Sequence, residues 1–545
     1  MADDVGTTPR GAVRALLRTL RPPTSDPLNQ QGLGQGLGRR SARGAVSTLA
    51  GQWIRLVLQT ASTVVLARLI APDQYGLVAM VVSLVGVGDA LWNLGLSQAT
   101  VQRRDVTTEQ VSFFFWFQSG LGGLLTAVVA ALSPAIAGFY GQPELVPLTL
   151  VLSTMFLVNG LSAQHQAVLT RQMRFGLLSA IDVLGLFLGV VAAIVIAAMG
   201  GNAWAIAVMT LAVPVVRLVM SWWTSGWRPS RPRRAADVGP MIRFGVNLTL
   251  TNVLDYTSQN LDNVLIGRFY GAEALGLYSR AYNLLLLPLR QVTAPVARVA
   301  VPVLSYLQHQ PARYRRFFMV ALSAVAYASL PLICLLAALS HEVVAVMLGD
   351  QWLGAVPIFR VLSVAGVLVT LRSTNGWLFV STGHTGRQAV WALANRPVII
   401  VGFVVGLPWG ATGVAWGFLA AHAVLLVPSF WVAVKDTPVT MANIAQSVWR
   451  PLVLAAAVYA AAFGVQRVLG GADLLVLLVG AAAAAAVLAL AFLVWPAVRG
   501  DLQQMRTALR DRATGPQPEA AKGADDPTST SARDDEATPS SAALS

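Results

Sequence analysis

Apolar runs long enough to cross a bilayer recur along this chain and constrain its fold more than any other feature. About 14 such runs lie between residues 44 and 497, and each is close to the roughly 20 residues that a helix needs to span a hydrocarbon core. Because unpaired backbone groups are not tolerated in hydrocarbon, runs of this length are predicted to be helices. Hydrophobic residues form 55% of the chain and charged residues only 12%. The sequence therefore predicts an all-α polytopic membrane protein with about 14 transmembrane helices.

Two polar tails flank the apolar part of the chain. Residues 1–43 contain several arginines without the apolar segment that follows the arginines of a secretion signal, so they are interpreted as a basic cytoplasmic tail. Residues 501–545 are rich in Ala, Ser, Thr, Asp, Arg and Pro, and they are predicted to be a disordered cytoplasmic tail.

The positive charge of the chain indicates how the spans are oriented. The net charge is +14, and lysine occurs only at Lys435 and Lys522, so arginine supplies most of the excess. The arginines lie mostly in short loops between apolar runs, for example at Arg174, Arg313 and Arg387. By the positive-inside rule this pattern predicts a multi-pass protein of the cytoplasmic (inner) membrane with both termini in the cytoplasm. Loop arginines of this kind also argue against nucleic acid as a partner.

Neither a metal site nor a cofactor is predicted. Cys334 is the only cysteine and lies in an apolar run, and the five histidines form no HxxxH or HExxH pair. Neither lysine belongs to a GxxxxGK[ST] motif, so the chain is not expected to hydrolyse ATP through a phosphate-binding loop.

An internal repeat divides the apolar part. Residues 65–77 read VLARLIAPDQYGL, and residues 265–277 read LIGRFYGAEALGL. The shared positions fall at a constant offset of 200: Arg68 with Arg268, Gly76 with Gly276, Asp73 with Glu273, Leu77 with Leu277 and Gln59 with Gln259. The repeat predicts two similar lobes of six helices each in the same orientation, and repeated halves around a site at the midplane are typical of transporters. The predicted lobes are residues 44–240 and 241–435, and residues 436–500 hold two further spans.

Three segments resemble a known family. They are LARLIAPDQYGLVAM from residue 66, NLGLSQATVQR at 93–103, and the block at 244–288 that begins FGVNLTLTNVLDYTSQNLDN. They are similar to the polysaccharide-exporter branch of the multidrug/oligosaccharidyl-lipid/polysaccharide flippase superfamily, and among these to Wzx-type, colanic-acid-like flippases. The resemblance covers roughly residues 44–440, and the block at 244–288 is its most specific part.

The resemblance implies a fold and an activity together. It implies two six-helix bundles that alternate access to a central cavity. The implied substrate is an undecaprenyl-pyrophosphate-linked oligosaccharide repeat unit for exopolysaccharide or lipopolysaccharide biosynthesis. A polymerase or export machinery is a candidate partner beside the lipid bilayer.

Arginines inside the spans are the first candidates for a substrate site. A charge at mid-bilayer costs about 2.5–3.5 kcal/mol or more, so it usually faces a cavity or an oppositely charged partner. Arg55, Arg290 and Arg372 lie near the middle of three different spans, and they are predicted to converge on a pyrophosphate, for which the planar guanidinium is well suited. Arg298 and Arg396 are further candidates for substrate binding. The alternative is that each arginine pairs with an aspartate inside the bundle.

Acidic and amide side chains inside the spans are candidates for sugar contacts or for a coupling cation. Asp255 and Asp262 are seven residues apart and therefore share a helix face, on which Gln259 and Asn263 complete a polar stripe. Asp182 and Asp89 are the other mid-span acids. The alternative for these carboxylates is an ion pair with a span arginine.

Prolines and tryptophans are predicted to mark bends and ends of the spans. Pro288, Pro295 and Pro302 recur with a period of seven and are expected to bend the eighth span. Most tryptophans near the span ends, Trp352 among them, are interpreted as anchors at the membrane interface, and the alternative for some of them is stacking on sugar rings.

Other functions on a chain of this kind are weighed against the flippase. A membrane glycosyltransferase or polymerase would need an acid/base site in water, and the short outer loops contain no DxD or HExxH motif, so the chain is not expected to be an enzyme. A drug or ion antiporter should have an acidic cavity, whereas several mid-span charges are arginines. A lipid II flippase would share the cationic cavity, and a structural scaffold would have no use for mid-span charges.

Overall fold

The computed structural model describes residues 37–92, 96–102, 106–231 and 239–513. Side chains are described for the same residues except 37–47, 49, 89–92, 96, 99, 102, 239–255, 502 and 506–513. All regular elements within these residues are helices, and the all-α prediction is confirmed.

The first lobe is built from eight helices in the described part of the chain. They are α1 (Leu37–Leu69), α2 (Pro72–Trp92), α3 (Leu96–Gln102), α4 (Thr108–Ala131), α5 (Ser133–Tyr140), α6 (Leu145–Arg171), α7 (Phe175–Ala198) and α8 (Asn202–Thr224). Within the lobe α1 packs on α7, α4 on α6, and α7 on α8. The start of α4 is fixed by a capping box, in which Thr107 and Gln110 satisfy each other's backbone N–H groups.

The second lobe is built from seven helices in the described part of the chain. They are α9 (Gly239–Leu307), α10 (Pro311–Ala338), α11 (Ser340–Met347), α12 (Val356–Ser373), α13 (Asn375–Ser381), α14 (Thr385–Gly406) and α15 (Gly410–Val434), with 3₁₀ turns at Asp350–Ala355 and Leu407–Trp409. The short helices α5 and α11 occupy corresponding places after a long helix in each lobe.

Three helices follow the second lobe. They are α16 (Met441–Leu469), α17 (Asp473–Val494) and α18 (Pro496–Ala513). α16 packs on α10 and α17 on α11, so this pair lies against the outside of the second lobe. The helix α18 runs past Asp501, where the sequence predicts the start of a disordered tail; Arg450 Nη1 and the Tyr327 hydroxyl both bind the Asp501 carboxylate and hold this helix in place.

Helix α9 is two helices joined at one residue. Its backbone leaves the helical conformation at Gly271, where φ is +81°, a value that glycine adopts without a Cβ clash. We call residues 239–270 α9a and residues 272–307 α9b. The three prolines of the eighth span lie inside α9b, and the break at Gly271 separates the seventh span from the eighth. The bend that the prolines are expected to cause within the eighth span stays a prediction.

The number of spans agrees with the prediction. Ten helical stretches in the described residues are long and apolar enough to cross a membrane, and two of these, Tyr256–Leu307 and Thr385–Val434, each fold back on themselves as a pair of spans. Helices α1 and α2 precede them, which completes the fourteen predicted spans. The exact lobe boundaries at residues 240 and 435 stay a prediction.

Candidate functional site

A polar cavity lies between α1 of the first lobe and α9b of the second. Its volume is about 290 Å³, and its polar lining is Gln59, Thr60, Thr63, Arg280, Asn283, Arg290 and Gln291. The remaining lining residues are three leucines and a methionine, so the described wall contains two arginines and no carboxylate. The cavity can therefore hold an anion with hydroxyl groups around it, and it offers no acidic side chain to a cation.

Helical periodicity explains why these residues share one wall. Gln59 and Thr63 are four residues apart on α1 and so project from the same face. On α9b, Arg280, Leu287 and Arg290 recur at spacings of seven and three, which again selects one face. Leu284, Leu286 and Leu287 lie in the same wall, so the polar groups of α9b are set among apolar side chains.

Arg280 is a cavity residue that the sequence analysis did not single out. Its guanidinium carbon lies 3.7 Å from the centre of the Tyr75 ring, which belongs to the other lobe. No described residue accepts a hydrogen bond or forms an ion pair with Arg280, so its N–H groups are left to the cavity. The repeat distinguishes Arg280 in the sequence, because the equivalent residue in the first copy is Met80 and only the second copy carries a cation at this position.

Of the three arginines predicted to converge, the cavity wall contains Arg290 alone. Arg290 is exposed, and within the described residues it forms no ion pair. Arg298 is exposed two turns further along α9b, outside the cavity wall.

Arg55 pairs with an aspartate instead of lining the cavity. Its Nη1 lies 3.1 Å from Asp182 Oδ2, and Arg217 Nε lies 2.6 Å from the other oxygen of the same carboxylate. The pair joins α1 to α7 and α8, so it fastens helices within the first lobe. The alternative of internal ion pairing is therefore the one observed for both Arg55 and Asp182, because two cations on neighbouring helices face one carboxylate.

Arg372 and Arg396 lie within the second lobe. Arg372 is half-buried near the end of α12, its Nε has no hydrogen-bond partner among the described residues, and its charge acts on His422 of α15. Arg396 is 9% exposed on α14. Neither belongs to the described cavity wall.

The predicted polar stripe on the seventh span is divided in the structure. Gln259 is exposed and Asn263 half-buried, but Asp262 is buried inside the second lobe. Its carboxylate accepts a 2.8 Å hydrogen bond from the Tyr278 hydroxyl and another from the Asn263 backbone N–H. Asp262 thus joins α9a to α9b and does not face the cavity. The side chains of Asp89 and Asp255 lie outside the described residues.

The two repeat motifs cross each other where the lobes meet. A Cβ added to Gly76 would overlap the carbonyl oxygen of Ala272, and a Cβ added to Gly276 would overlap that of Pro72. These four positions are related by the offset of 200, so the crossing of α2 and α9b is reciprocal. Backbones can approach this closely only where both helices carry glycine.

The arginines of the repeat also reach across to the opposite lobe. Arg68 donates a 3.0 Å hydrogen bond to the carbonyl of Val346 near the end of α11, where helix carbonyls lack partners. Arg268 lies over the Phe139 ring of α5 at 5.6 Å. Each lobe therefore extends one arginine to the short helix of the other.

Trp352 is buried between the lobes and is not an interfacial anchor. It is 0% exposed, and its indole N–H donates a 2.7 Å hydrogen bond to the carbonyl of Ala67 in the last turn of α1. Gln351 binds the same carbonyl and that of Ile70, so the open end of α1 is capped by the other lobe. We call the whole contact the interlobe seal, and it comprises Ala67, Arg68, Tyr75, Gly76, Arg268, Gly276, Arg280, Gln351 and Trp352.

No group of three or more His, Cys, Asp or Glu that could hold a metal ion occurs among the described residues.

Comparison with known proteins identifies the family. Residues 65–357, which include the whole seal and the part of the cavity wall on α9b, match a family model described as polysaccharide biosynthesis protein. The chain belongs to this family. The matched region is more than half of the chain, and it contains both copies of the repeat.

Curated relatives of this polysaccharide biosynthesis protein carry names from the same field. The chain is 29% identical over 376 residues to the teichuronic acid biosynthesis protein TuaB of Bacillus subtilis, which covers 68% of this chain and 78% of the relative. It is 26% identical to the lipopolysaccharide biosynthesis protein WzxC of Escherichia coli, over 75% of this chain and 84% of the relative. The succinoglycan biosynthesis transport protein ExoT of Rhizobium meliloti is 23% identical, over 68% and 75%.

Solved structures share the fold. The lipid II flippase MurJ in an inward closed conformation matches with a TM-score of 0.63 and 14% identity, over 80% of this chain and 98% of that one. The multidrug transporter DinF-BH matches with a TM-score of 0.51 and 13% identity, over 76% and 98%. The predicted fold of two helical lobes around a central cavity is confirmed, and the chain is a multi-pass membrane protein.

Proposed function

We propose that the chain is a flippase that moves polyprenyl-pyrophosphate-linked oligosaccharide repeat units across the cytoplasmic membrane by alternating access. The observation that carries this proposal is the interlobe cavity with Arg280 and Arg290 and without a described carboxylate. Membership of the polysaccharide biosynthesis family supports it, as do relatives named for lipopolysaccharide and succinoglycan biosynthesis.

The main energetic cost of this translocation is the transfer of the charged pyrophosphate into the membrane interior. An anion that leaves water for a low-dielectric interior loses hydration worth many kcal/mol. Guanidinium groups fixed in the wall replace that hydration with charge-assisted hydrogen bonds, which planar N–H pairs make in bidentate form. Because no described residue forms an ion pair with Arg280 or Arg290, both are available to bind the pyrophosphate.

The other parts of the substrate have simpler requirements. Sugar hydroxyls need donors and acceptors, and Gln59, Thr63, Asn283 and Gln291 offer both at the same wall. The polyprenyl chain can stay in the lipid beside the gap between the lobes, since it is as apolar as the bilayer.

The cavity argues against two alternatives on the same fold. A cation or drug antiporter would favour a negatively charged cavity, and the described wall is positively charged instead. A lipid II flippase would place the same anion in the cavity, and the relatives named for other surface polysaccharides favour a repeat-unit substrate. We propose no catalytic step for this chain.

The proposed substrate indicates the membrane in which the protein lies, its orientation and its partner proteins. We place the protein in the cytoplasmic membrane with both termini in the cytoplasm, which puts the interlobe seal at the extracytoplasmic end. A polymerase or export machinery would receive the flipped unit. The buried Asp262–Tyr278 pair is our proposed site for coupling to a proton or another cation, because a mid-membrane carboxyl without a cationic partner among the described residues needs neutralising.

Complementation of a strain that lacks its repeat-unit flippase tests the proposal. Arg280→Gln and Arg290→Gln should each reduce polysaccharide export by about tenfold or more, because each removes a charge-assisted contact to the pyrophosphate. The corresponding lysine variants should retain part of the export, since the charge remains while the planar fork is lost. Export is measured as surface polysaccharide at equal protein level.

Arg298→Gln is the matched control, because Arg298 lies on the same helix and is exposed, but outside the cavity wall. Its export should equal that of the wild type. Full export by Arg280→Gln and Arg290→Gln together would show that the cavity does not bind the carrier anion.

A further inference from the structure

Arg280 belongs to two structures at once, the cavity wall and the interlobe seal. Its N–H groups are left to the cavity, while its guanidinium carbon lies 3.7 Å from the Tyr75 ring centre. The Tyr75 ring in turn meets the Trp352 ring edge-on at 5.3 Å. Tyr75 of the first lobe is therefore held between two side chains of the second lobe.

The chain of contacts continues to the end of α1. Trp352 caps the Ala67 carbonyl through its indole N–H, and Gln351 binds the same carbonyl. If Arg280 moves away, Tyr75 loses one of the two side chains between which it packs. Because Tyr75 also contacts Trp352, this movement affects the hydrogen bonds that cap the end of α1. Tyr75 is 5% exposed and Trp352 is 0% exposed, so neither ring can move without opening the seal.

We propose that Arg280 is the residue that reports an occupied anion site to the interlobe seal, by leaving the Tyr75 ring to bind the pyrophosphate. This inference rests on the proposed function. A guanidinium over an aromatic ring forms a weaker contact than the same group bound to a phosphate through charge-assisted hydrogen bonds. An anion in the cavity therefore competes successfully for Arg280, and the seal loses a contact only when substrate is present.

The pair of Tyr75 and Arg280 belongs to one of the two copies of the repeat crossing. At the offset of 200, Tyr75 corresponds to Leu275 and Arg280 to Met80, so the other copy of the crossing has neither ring nor cation. The glycines and the arginines at 68 and 268 are shared by both copies and build the symmetric part of the seal. The Tyr75–Arg280 pair is the asymmetric part, and it lies on the side where the cavity wall begins.

The experiment measures opening of the seal directly. Cys334 is the only cysteine, so Cys334→Ser gives a background for spin labels at Glu144→Cys and Pro408→Cys, two exposed positions on different lobes near the seal. Distances between the labels are measured by double electron–electron resonance in lipid nanodiscs, with and without undecaprenyl pyrophosphate. In the otherwise unchanged chain, the probe should raise the fraction of long distances.

Two variants distinguish the contribution of the Tyr75 ring from that of the Arg280 charge. Tyr75→Leu should raise the long-distance fraction without ligand by about two- to fivefold, the factor that one cation–π contact supplies. Arg280→Gln should raise it similarly and should also abolish the response to undecaprenyl pyrophosphate. Tyr75→Phe should behave as the wild type, because the Tyr75 hydroxyl has no hydrogen-bond partner among the described residues.

The outcomes are decisive for the inference and separable from the proposed function. A seal that stays closed in Tyr75→Leu, or a probe response that survives Arg280→Gln, would overturn the role of Arg280. If the wild type restores export but the probe leaves its distances unchanged, this inference fails and the flippase proposal stands. If the wild type fails to restore export in every repeat-unit flippase strain, the proposed function fails instead.

Discussion

Two buried tyrosines show how much depends on a single hydroxyl. Tyr278 donates its hydroxyl to Asp262, and both side chains are buried in the second lobe. Tyr75 is equally buried, but its hydroxyl has no partner among the described residues, and its ring makes the contacts. The same residue type thus serves as a hydrogen-bond donor in one place and as a flat surface in the other.

These two residues form a matched pair for a stability test. Tyr278→Phe should destabilise the protein by about 1–3 kcal/mol, because it leaves the buried Asp262 carboxyl without its side-chain donor. Tyr75→Phe should be close to neutral, since it removes a hydroxyl without a described partner. The thermal unfolding midpoint of the purified protein in detergent measures both. Equal midpoints for the two variants would show that the Asp262–Tyr278 bond contributes nothing to stability.

At the scale of elements, the crossing of α2 and α9b joins the two lobes. Glycine at positions 76 and 276 lets the two backbones touch, and each glycine faces a carbonyl of the other helix. The helix hairpin of α14 and α15 uses the same device, with Gly402 against Gly417 and Gly406 against Gly413. Small residues of this kind permit close helix packing where no water drives the helices together.

Alanine at the crossing should force the lobes apart. Gly76→Ala and Gly276→Ala should each destabilise the protein by about 1–3 kcal/mol, because the new methyl group meets backbone that cannot rotate away. Gly120→Ala on α4 is the control, since a Cβ there meets nothing within 4 Å. It should be neutral or slightly stabilising, as alanine is the better helix former. Thermal unfolding in detergent distinguishes these outcomes, and a neutral Gly76→Ala would mean that the lobes do not touch there.

At the scale of the whole molecule, the contacts between the lobes that involve the repeat are gathered at one end. Both connections between consecutive spans of the repeat, at Ala71 and Gly271, lie between residues of the seal along the chain, and Arg280 of the seal is also part of the cavity wall. The distribution of loop arginines predicts that this end faces away from the cytoplasm. The molecule is then closed to the outside.

Reporter fusions test that orientation. An enzyme that is active only in the cytoplasm should be active when fused after Asp436 or after Gly500, because an even number of spans precedes each position in the predicted topology. A reporter inserted at Gln142, in the loop between α5 and α6 near the seal, should give the opposite signal. A periplasmic signal from either of the first two fusions would contradict the predicted orientation, and the seal would then face the cytoplasm.

The sequence by itself determined the features that depend on local composition and on repetition. Run length and hydropathy predicted the number of spans, because each helix in a bilayer must satisfy its own backbone and match the same thickness. The offset of 200 predicted two similar lobes. The glycines that it aligned meet at the crossing, and the arginines that it aligned each contact a short helix of the other lobe. The resemblance of three segments indicated the family that residues 65–357 match.

The tertiary structure decided which distant side chains meet. Arg55 and Arg290 both looked like substrate ligands, but the first forms an ion pair with Asp182, while the second is left to the cavity. The sequence alone predicted no role for Arg280 or Trp352 in the cavity or the seal. The groups that they contact, the Tyr75 ring and the Ala67 carbonyl at the end of α1, are far away along the chain. A charge in a membrane must find a partner or a cavity, and hydropathy says only that this need exists. The packing of the helices decides whether each arginine finds a charged partner or faces a cavity.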